Sequence, residues 1–151
     1  MKFLTLNTHS WMEKEAEEKF QLLLQDILDK DYDLICFQEI NQEMSSPEVE
    51  VNNHYQALPS AEPIHQDHYV RLLVEKLAEK GKNYYWTWAY NHIGYDRYHE
   101  GVAILSKTPI KAREILVSDV DDPTDYHTRR VALAETEVEG KELALASVHL
   151  S

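Results

Sequence analysis

The sequence predicts an α/β (α+β) fold, a mixed sheet with helices on one face. Three observations carry this. A strand–helix–strand order opens the chain, two segments repeat apolar residues at helical spacing, and a succession of short strands follows. The 151 residues match one ordinary domain, and 43% hydrophobic residues suffice for a core.

Residues 2–7 (KFLTLN) alternate in hydrophobicity and read as the first strand. Ser10 is placed to cap the next helix, with Glu13 as its capping-box partner. From Glu13 to Lys30 the apolar residues Ala16, Phe20, Leu23, Leu24, Ile27 and Leu28 share one helical face. LICF (34–37) follows as a buried strand, and the unit predicts a parallel pair. Residues 41–67 hold three Pro and no Lys or Arg, and read as a long loop that shapes a substrate site. Residues 68–80 form a second amphipathic helix ended by Gly81. YYWTWAY (84–90) reads as an aromatic strand, and 91–100 as a polar loop. GVAILS (101–106) and REILVS (113–118) read as strands, and 119–127 as an acidic turn. RRVALAETEV and ELALASVHL form a hairpin about Glu139-Gly140-Lys141.

Composition removes several classes of function. No apolar run reaches the roughly 20 residues of a membrane helix, and MKFLTLNTHS lacks the apolar core of a signal peptide. The single Cys36 cannot form an internal disulfide and reads as a small buried hydrophobe, so a cytoplasmic location is expected. A net charge of −12 repels polyanions and makes nucleic acid the less favoured partner. No zinc-type Cys cluster, His-Glu-x-x-His or Gly-rich phosphate loop occurs, and HSWMEKE lacks the setting of a nucleophile elbow.

What remains is polar groups at strand ends. Glu39 follows LICFQ, where a carboxylate must be paired, exposed or bound to a cation; Mg²⁺ is commonly held by one such group with carbonyls and water. Asn7 ends the first strand and suits a phosphate, a metal-bound water or a simple turn. His149 ends the last strand and can bind or protonate a phosphate oxygen. Glu100 precedes GVAILS and is a candidate to hold the His149 ring in one tautomer. Arg129 and Arg130 are candidate phosphate forks or surface charges. His9, Trp11, His92, Tyr95 and Tyr98 are candidates to line a pocket for a sugar or base, or to pack as ordinary aromatics.

Together LNTHSW (6–11), FQEI (37–40), YHEGVAILS (98–106) and SVHLS (147–151) resemble the endonuclease/exonuclease/phosphatase superfamily. This is the fold of pancreatic-type deoxyribonuclease, abasic-site endonucleases, neutral sphingomyelinases and inositol-polyphosphate phosphatases. Within it the chain looks like bacterial cytoplasmic phosphatases acting on sugar phosphates such as maltose 6′-phosphate. The resemblance implies that Glu39 ligands Mg²⁺ or Mn²⁺ with Asn7 beside it. It implies that His149 contacts the scissile phosphate with Glu100 as its partner, and that Arg129 or Arg130 reaches the phosphate. His9, Trp11 and Tyr95 would wall the substrate pocket.

The family pattern continues into Gly-Asp-x-Asn and Asp-His motifs that are absent here; Gln66-Asp67-His68 lies too early. The expectation is therefore the N-terminal half of a four-layer α/β/β/α sandwich, with residues 1–151 incomplete at the C-terminus and the rest of the same fold as partner. A Mg²⁺-dependent phosphomonoesterase on a small phosphorylated sugar is the first expectation, the 151-residue piece alone being inactive. A nuclease of the same fold would need a basic groove from Arg97, Lys107, Lys111, Arg113, Arg129 and Arg130. A non-catalytic binding module is the third class.

Overall fold

The computed structural model describes residues 1–150; Ser151, the last residue of the SVHLS motif, lies outside them. The first sheet has the order β1-β2-β5-β4-β3. β1 (Phe3–Asn7) runs parallel to β2 (Leu34–Glu43), and α1 (Ala16–Lys30) makes the crossover. β2 is antiparallel to β5 (Tyr98–Ser106), which pairs in turn with β4 (Tyr85–Gly94). The three-residue β3 (Tyr55–Ala57) adds a parallel edge beside β4. A second, antiparallel sheet contains β6 (Lys111–Leu116), β7 (Arg130–Val138) and β8 (Lys141–Ser147). α2 (Tyr69–Glu79) joins α1 on one face of the first sheet.

Strand alternation divides the core in two. Ile35, Phe37, Trp86, Trp88, Ala103 and Leu105 meet Phe20, Ile27, Val70, Leu73 and Leu77 of the helices. The opposite residues Cys36, Ala89, Val102 and Ile104 meet Ala132 and Ala134 of β7. The central strands are thus covered on both faces, by helices and by a second sheet. The layers are α/β/β, the mixed α/β architecture expected. Cys36 is buried between the sheets with its Sγ 3.6 Å from the Ala146 carbonyl oxygen, and burial pushes its thiol up to about 12.

Helix starts differ from expectation. Ser10 does not cap α1. Its Oγ lies 2.7 Å from Thr8 Oγ1, and Ser10–Met12 form a short 3-10 turn. α1 begins only at Ala16, behind a left-handed Glu15 with φ 60°. α2 is capped by His68, whose Nδ1 accepts the Arg71 N–H at 3.3 Å. Gly81, at φ 84°, lies past its C-terminus as expected.

Two predicted loops are largely ordered by pairing. Residues 91–94 and 98–100 belong to β4 and β5, leaving a tight turn at 95–97. Their polar side chains read as loop, yet Asn91, His92, His99 and Glu100 are buried. The 41–67 stretch begins inside β2 and holds β3. Gln42 organises it: its Oε1 accepts the His65 N–H at 2.7 Å and its Nε2 donates to the Pro63 carbonyl at 2.8 Å. Asp67 accepts the Glu43 N–H at 2.9 Å. No helix is long and apolar enough to cross a membrane among the described residues.

Candidate active site

The topology collects the candidate residues at one rim. β1 ends there with Asn7, while Glu39, expected at a strand end, stands in the middle of β2, which runs on to Glu43. β4 arrives with His92, β5 departs with Glu100, β7 begins just after Arg129, and His149 follows β8. β5 is flanked by two bulges at this level. Three steps of β2, from Phe37 to Ile40, oppose two of β5, from Ala103 to Gly101. Two steps of β4, from Tyr90 to His92, oppose one, from Gly101 to Glu100. Gly101 is the pivot: a Cβ there would lie 2.0 Å from the Ala89 carbonyl oxygen. Glu39 occupies the β2 bulge with φ 56°, a left-handed conformation that a non-glycine residue adopts only where surroundings enforce it.

A cleft of ≈ 610 Å³ opens at this rim. Its walls include His9, Met12, Glu39, His92, Tyr95, Glu100, Tyr126, Arg129 and His149. Glu39 lies between two imidazoles, with His149 Nε2 3.6 Å from its Oε1 and His9 Nδ1 2.7 Å from its Oε2. The His9 contact is an ion pair and not a hydrogen bond, and Glu39 Oε2 is buried without one. Glu100 lies deeper, and its Oε2 is 3.6 Å from His92 Nε2 while its Oε1 has no hydrogen-bond partner. Burial and the neighbouring Glu39 push its carboxyl up to about 7, against the opposing pull of Arg129 and the nearby Asn41 amide. Burial lowers His149 and His92 below the usual imidazole range. Glu39 raises His149 and Arg129 lowers it further.

The structure sorts the predicted residues. Glu39, Glu100, His149, Arg129, His9 and Tyr95 share the cleft, and His92 joins them. The expected His149–Glu100 pair is absent among the described residues. His149 approaches Glu39, and the carboxylate partner of His92 is Glu100, because the β4 bulge turns His92 inward. Arg130 is a correction. Strand alternation points it away from Arg129, and it donates to the Tyr90 carbonyl at 3.0 Å and to Asp121 Oδ1 at 2.6 Å. Trp11 is a second correction: its Nε1 donates to the Asp67 carbonyl and its ring packs against Phe20 and Tyr69. Asn7 is not a cleft wall. Its Oδ1 accepts the His9 N–H at 3.1 Å, a turn that holds His9 at φ 53°. Tyr98 lies buried beneath the Arg97 guanidinium. No residue of 41–67 is among the lining residues of the cleft, although Asn41 lies close behind Glu100. Sequence reasoning missed Met12 and Tyr126; neither is near a strand end that would have flagged it.

Among the described residues no group of three His, Cys, Asp or Glu side chains is gathered around a metal position. The donor chemistry nevertheless fits a hard cation. Two buried carboxylate oxygens, Glu39 Oε2 and Glu100 Oε1, have no hydrogen bond, and Mg²⁺ takes one or two carboxylates together with water and substrate oxygens.

A profile of the Endonuclease/Exonuclease/phosphatase family matches residues 11–147. A solved structure of an endonuclease/exonuclease/phosphatase family protein from Leptotrichia buccalis C-1013-b is similar, with TM-score 0.86 and 30% identity over 100% of this chain and 54% of that one. An endonuclease/exonuclease/phosphatase from Beutenbergia cavernae DSM 12333 has TM-score 0.60 and 13% identity, over 99% of this chain and 37% of that one. D. rerio TDP2, complexed with single-strand DNA product, has TM-score 0.55 and 14% identity, over 97% and 45%. The last two show the fold alone. No curated protein matches. The chain spans 54% or less of the length of each of these structures. With the profile covering most of its length and the L. buccalis protein aligned across all of it, the chain belongs to the endonuclease/exonuclease/phosphatase family.

Proposed function

We propose that this chain supplies one wall of a divalent-cation-dependent phosphomonoesterase site acting on a phosphorylated sugar. The observation that carries the reading is the pairing of Glu39, bearing a buried oxygen without a hydrogen bond, with His149 at the mouth of one cleft. Mg²⁺ or Mn²⁺, held by Glu39, would supply Lewis-acid stabilisation of phosphoryl oxygen. The protein groups divide the remaining work. His149, kept largely neutral by burial, donates its N–H to a non-bridging oxygen. Arg129 adds positive potential on the same wall. Glu100 and His92 form a buried acid–imidazole pair that fixes the ring and can hold a proton near neutral pH.

A small substrate fits better than a polynucleotide. Three of the cations that a nucleic-acid groove would need are already paired: Arg97 with Glu43, Lys107 with Asp31, and Arg130 with Asp121. Net charge is −12. The single buried cysteine favours a cytoplasmic setting. Full-length protein should release phosphate from sugar phosphates in Mg²⁺ and leave supercoiled plasmid intact. Plasmid nicking with no release from sugar phosphates would replace this reading by the nuclease one.

A further inference from the structure

At its bulge β4 carries one residue more than β5 needs. Tyr90 faces Gly101 and His92 faces Glu100, which leaves Asn91 outside the ladder. Asn91 is nonetheless only 3% exposed. A side-chain amide buried this far needs a bonding partner. Its Oδ1 accepts the Arg130 N–H at 2.5 Å, and the Arg130 guanidinium donates back to the Tyr90 carbonyl at 3.0 Å. Two consecutive residues of β4 thus grip the first residue of β7. A third bond runs from the Ile93 N–H to the Pro123 carbonyl at 2.7 Å.

The grip falls directly beside Arg129. The Arg129 N–H donates to Ser118 Oγ at 2.9 Å, and its carbonyl accepts the Val117 N–H at 3.0 Å. Those bonds tie it to the segment that joins β6 to β7 in the second sheet, whereas Glu39 and Glu100 stand on the first. The gap between the arginine and the two carboxylates is therefore set by how the sheets meet at this end of the molecule. Asn91 is a side chain that joins them there. A shift of about 1 Å in such a contact is enough to weaken the hold on a substrate. We propose that Asn91 is a positioning residue, which holds the Arg130 backbone and so fixes the neighbouring Arg129 guanidinium on the cleft wall. The use of Arg129 toward phosphate rests on the phosphomonoesterase reading; its placement by Asn91 does not.

The test separates the two. In full-length protein labelled at arginine, the NMR signal of the Arg129 Nε–H is identified by its loss in Arg129→Met. In Asn91→Ala it should move toward its position in the unfolded chain while melting stays cooperative. Asn91→Ser, whose hydroxyl falls short of the Arg130 N–H, is read in its place if Asn91→Ala does not fold. Gln56→Ala is the control. Gln56 makes a similar tie between the sheets, its Oε1 accepting the Ala112 N–H and its Nε2 donating to the Ala112 carbonyl, both at 2.9 Å, and neither residue lines the cleft. That variant should lose stability and leave the Arg129 signal in place. In turnover of a sugar phosphate, the Asn91 variant should raise KM about tenfold with kcat within about threefold, and should add nothing in an Arg129→Met background. An unmoved Arg129 signal, an equal rise of KM in Gln56→Ala, or additive effects in the double variant would overturn the positioning role. A wild type that releases phosphate from no ester would remove the phosphatase reading and leave the Arg129 signal to judge Asn91.

Discussion

Gly101 faces Ala89 so closely that an added methyl carbon would lie 2.0 Å from the Ala89 carbonyl oxygen and 2.9 Å from Trp88 Nε1. The Trp88 Nε1 is itself committed, donating to the Ile40 carbonyl at 3.2 Å. Gly101→Ala must therefore push β4 and β5 apart at the level of both bulges. We expect a loss of about 3 kcal/mol, the upper end for overpacking, because the obstacle is backbone. Urea unfolding measures it. An unchanged midpoint would show that the sheet yields there without strain.

Glu39→Gln separates function from stability. The substitution removes a buried charge that has one oxygen without a hydrogen bond and lies near Glu100. In chelator the variant should melt higher, by about 1 kcal/mol of stability. With Mg²⁺ the wild type should gain stability by mass action and the variant should not. Phosphate release should fall at least about a hundredfold. Thermal scans with and without Mg²⁺ check the cation separately from turnover.

Neighbouring arginines should behave differently. Arg129 borders the cleft, so Arg129→Met should act chiefly on KM for phosphate esters. Arg130 has a side chain only 13% exposed and ties Asp121 and the Tyr90 carbonyl together. Arg130→Met should reduce stability by about 2 kcal/mol through the groups it leaves unpaired. Equal stability losses in the two variants would contradict this division.

His68 sets an acid limit. It is fully buried, caps α2 and packs edge-on against Trp88 at 4.7 Å. Burial lowers its pKa to about 3, with His65, Arg71 and His99 adding to the shift. The unfolded chain binds this proton below about 6.5 and the folded one does not until about 3. Stability is therefore complete above 6.5 and falls as pH drops through that window, with a slope of up to about 1.4 kcal/mol per pH unit. His68→Asn keeps a capping oxygen and should flatten the slope between pH 6 and 4, read by denaturant midpoints.

Much of this was legible in the chain because apolar spacing reports which face is buried. Phe20, Leu24 and Ile27 announced α1, and LICF announced the centre of the sheet. The failures share one cause. Where polar side chains are satisfied by specific hydrogen bonds, periodicity carries no signal. Gln42 binding His65 and Pro63 ordered a segment that read as loop. Asn91 accepting the Arg130 N–H lies inside a strand that read as ended. The candidate site followed the same division. Glu100, Arg129 and His149 lie close to strand ends at one rim, but Glu39 reaches it from a bulge in the middle of β2, and which imidazole meets which carboxylate follows the bulged registers rather than the sequence pattern.

The lone thiol between the two sheets has a practical consequence. Cys36 is the chain's single sulfhydryl, and it is both enclosed and held protonated. An alkylating reagent can reach it only when the layers separate. Its labelling rate is thus an intrinsic gauge of how often the interior opens, needing no added probe.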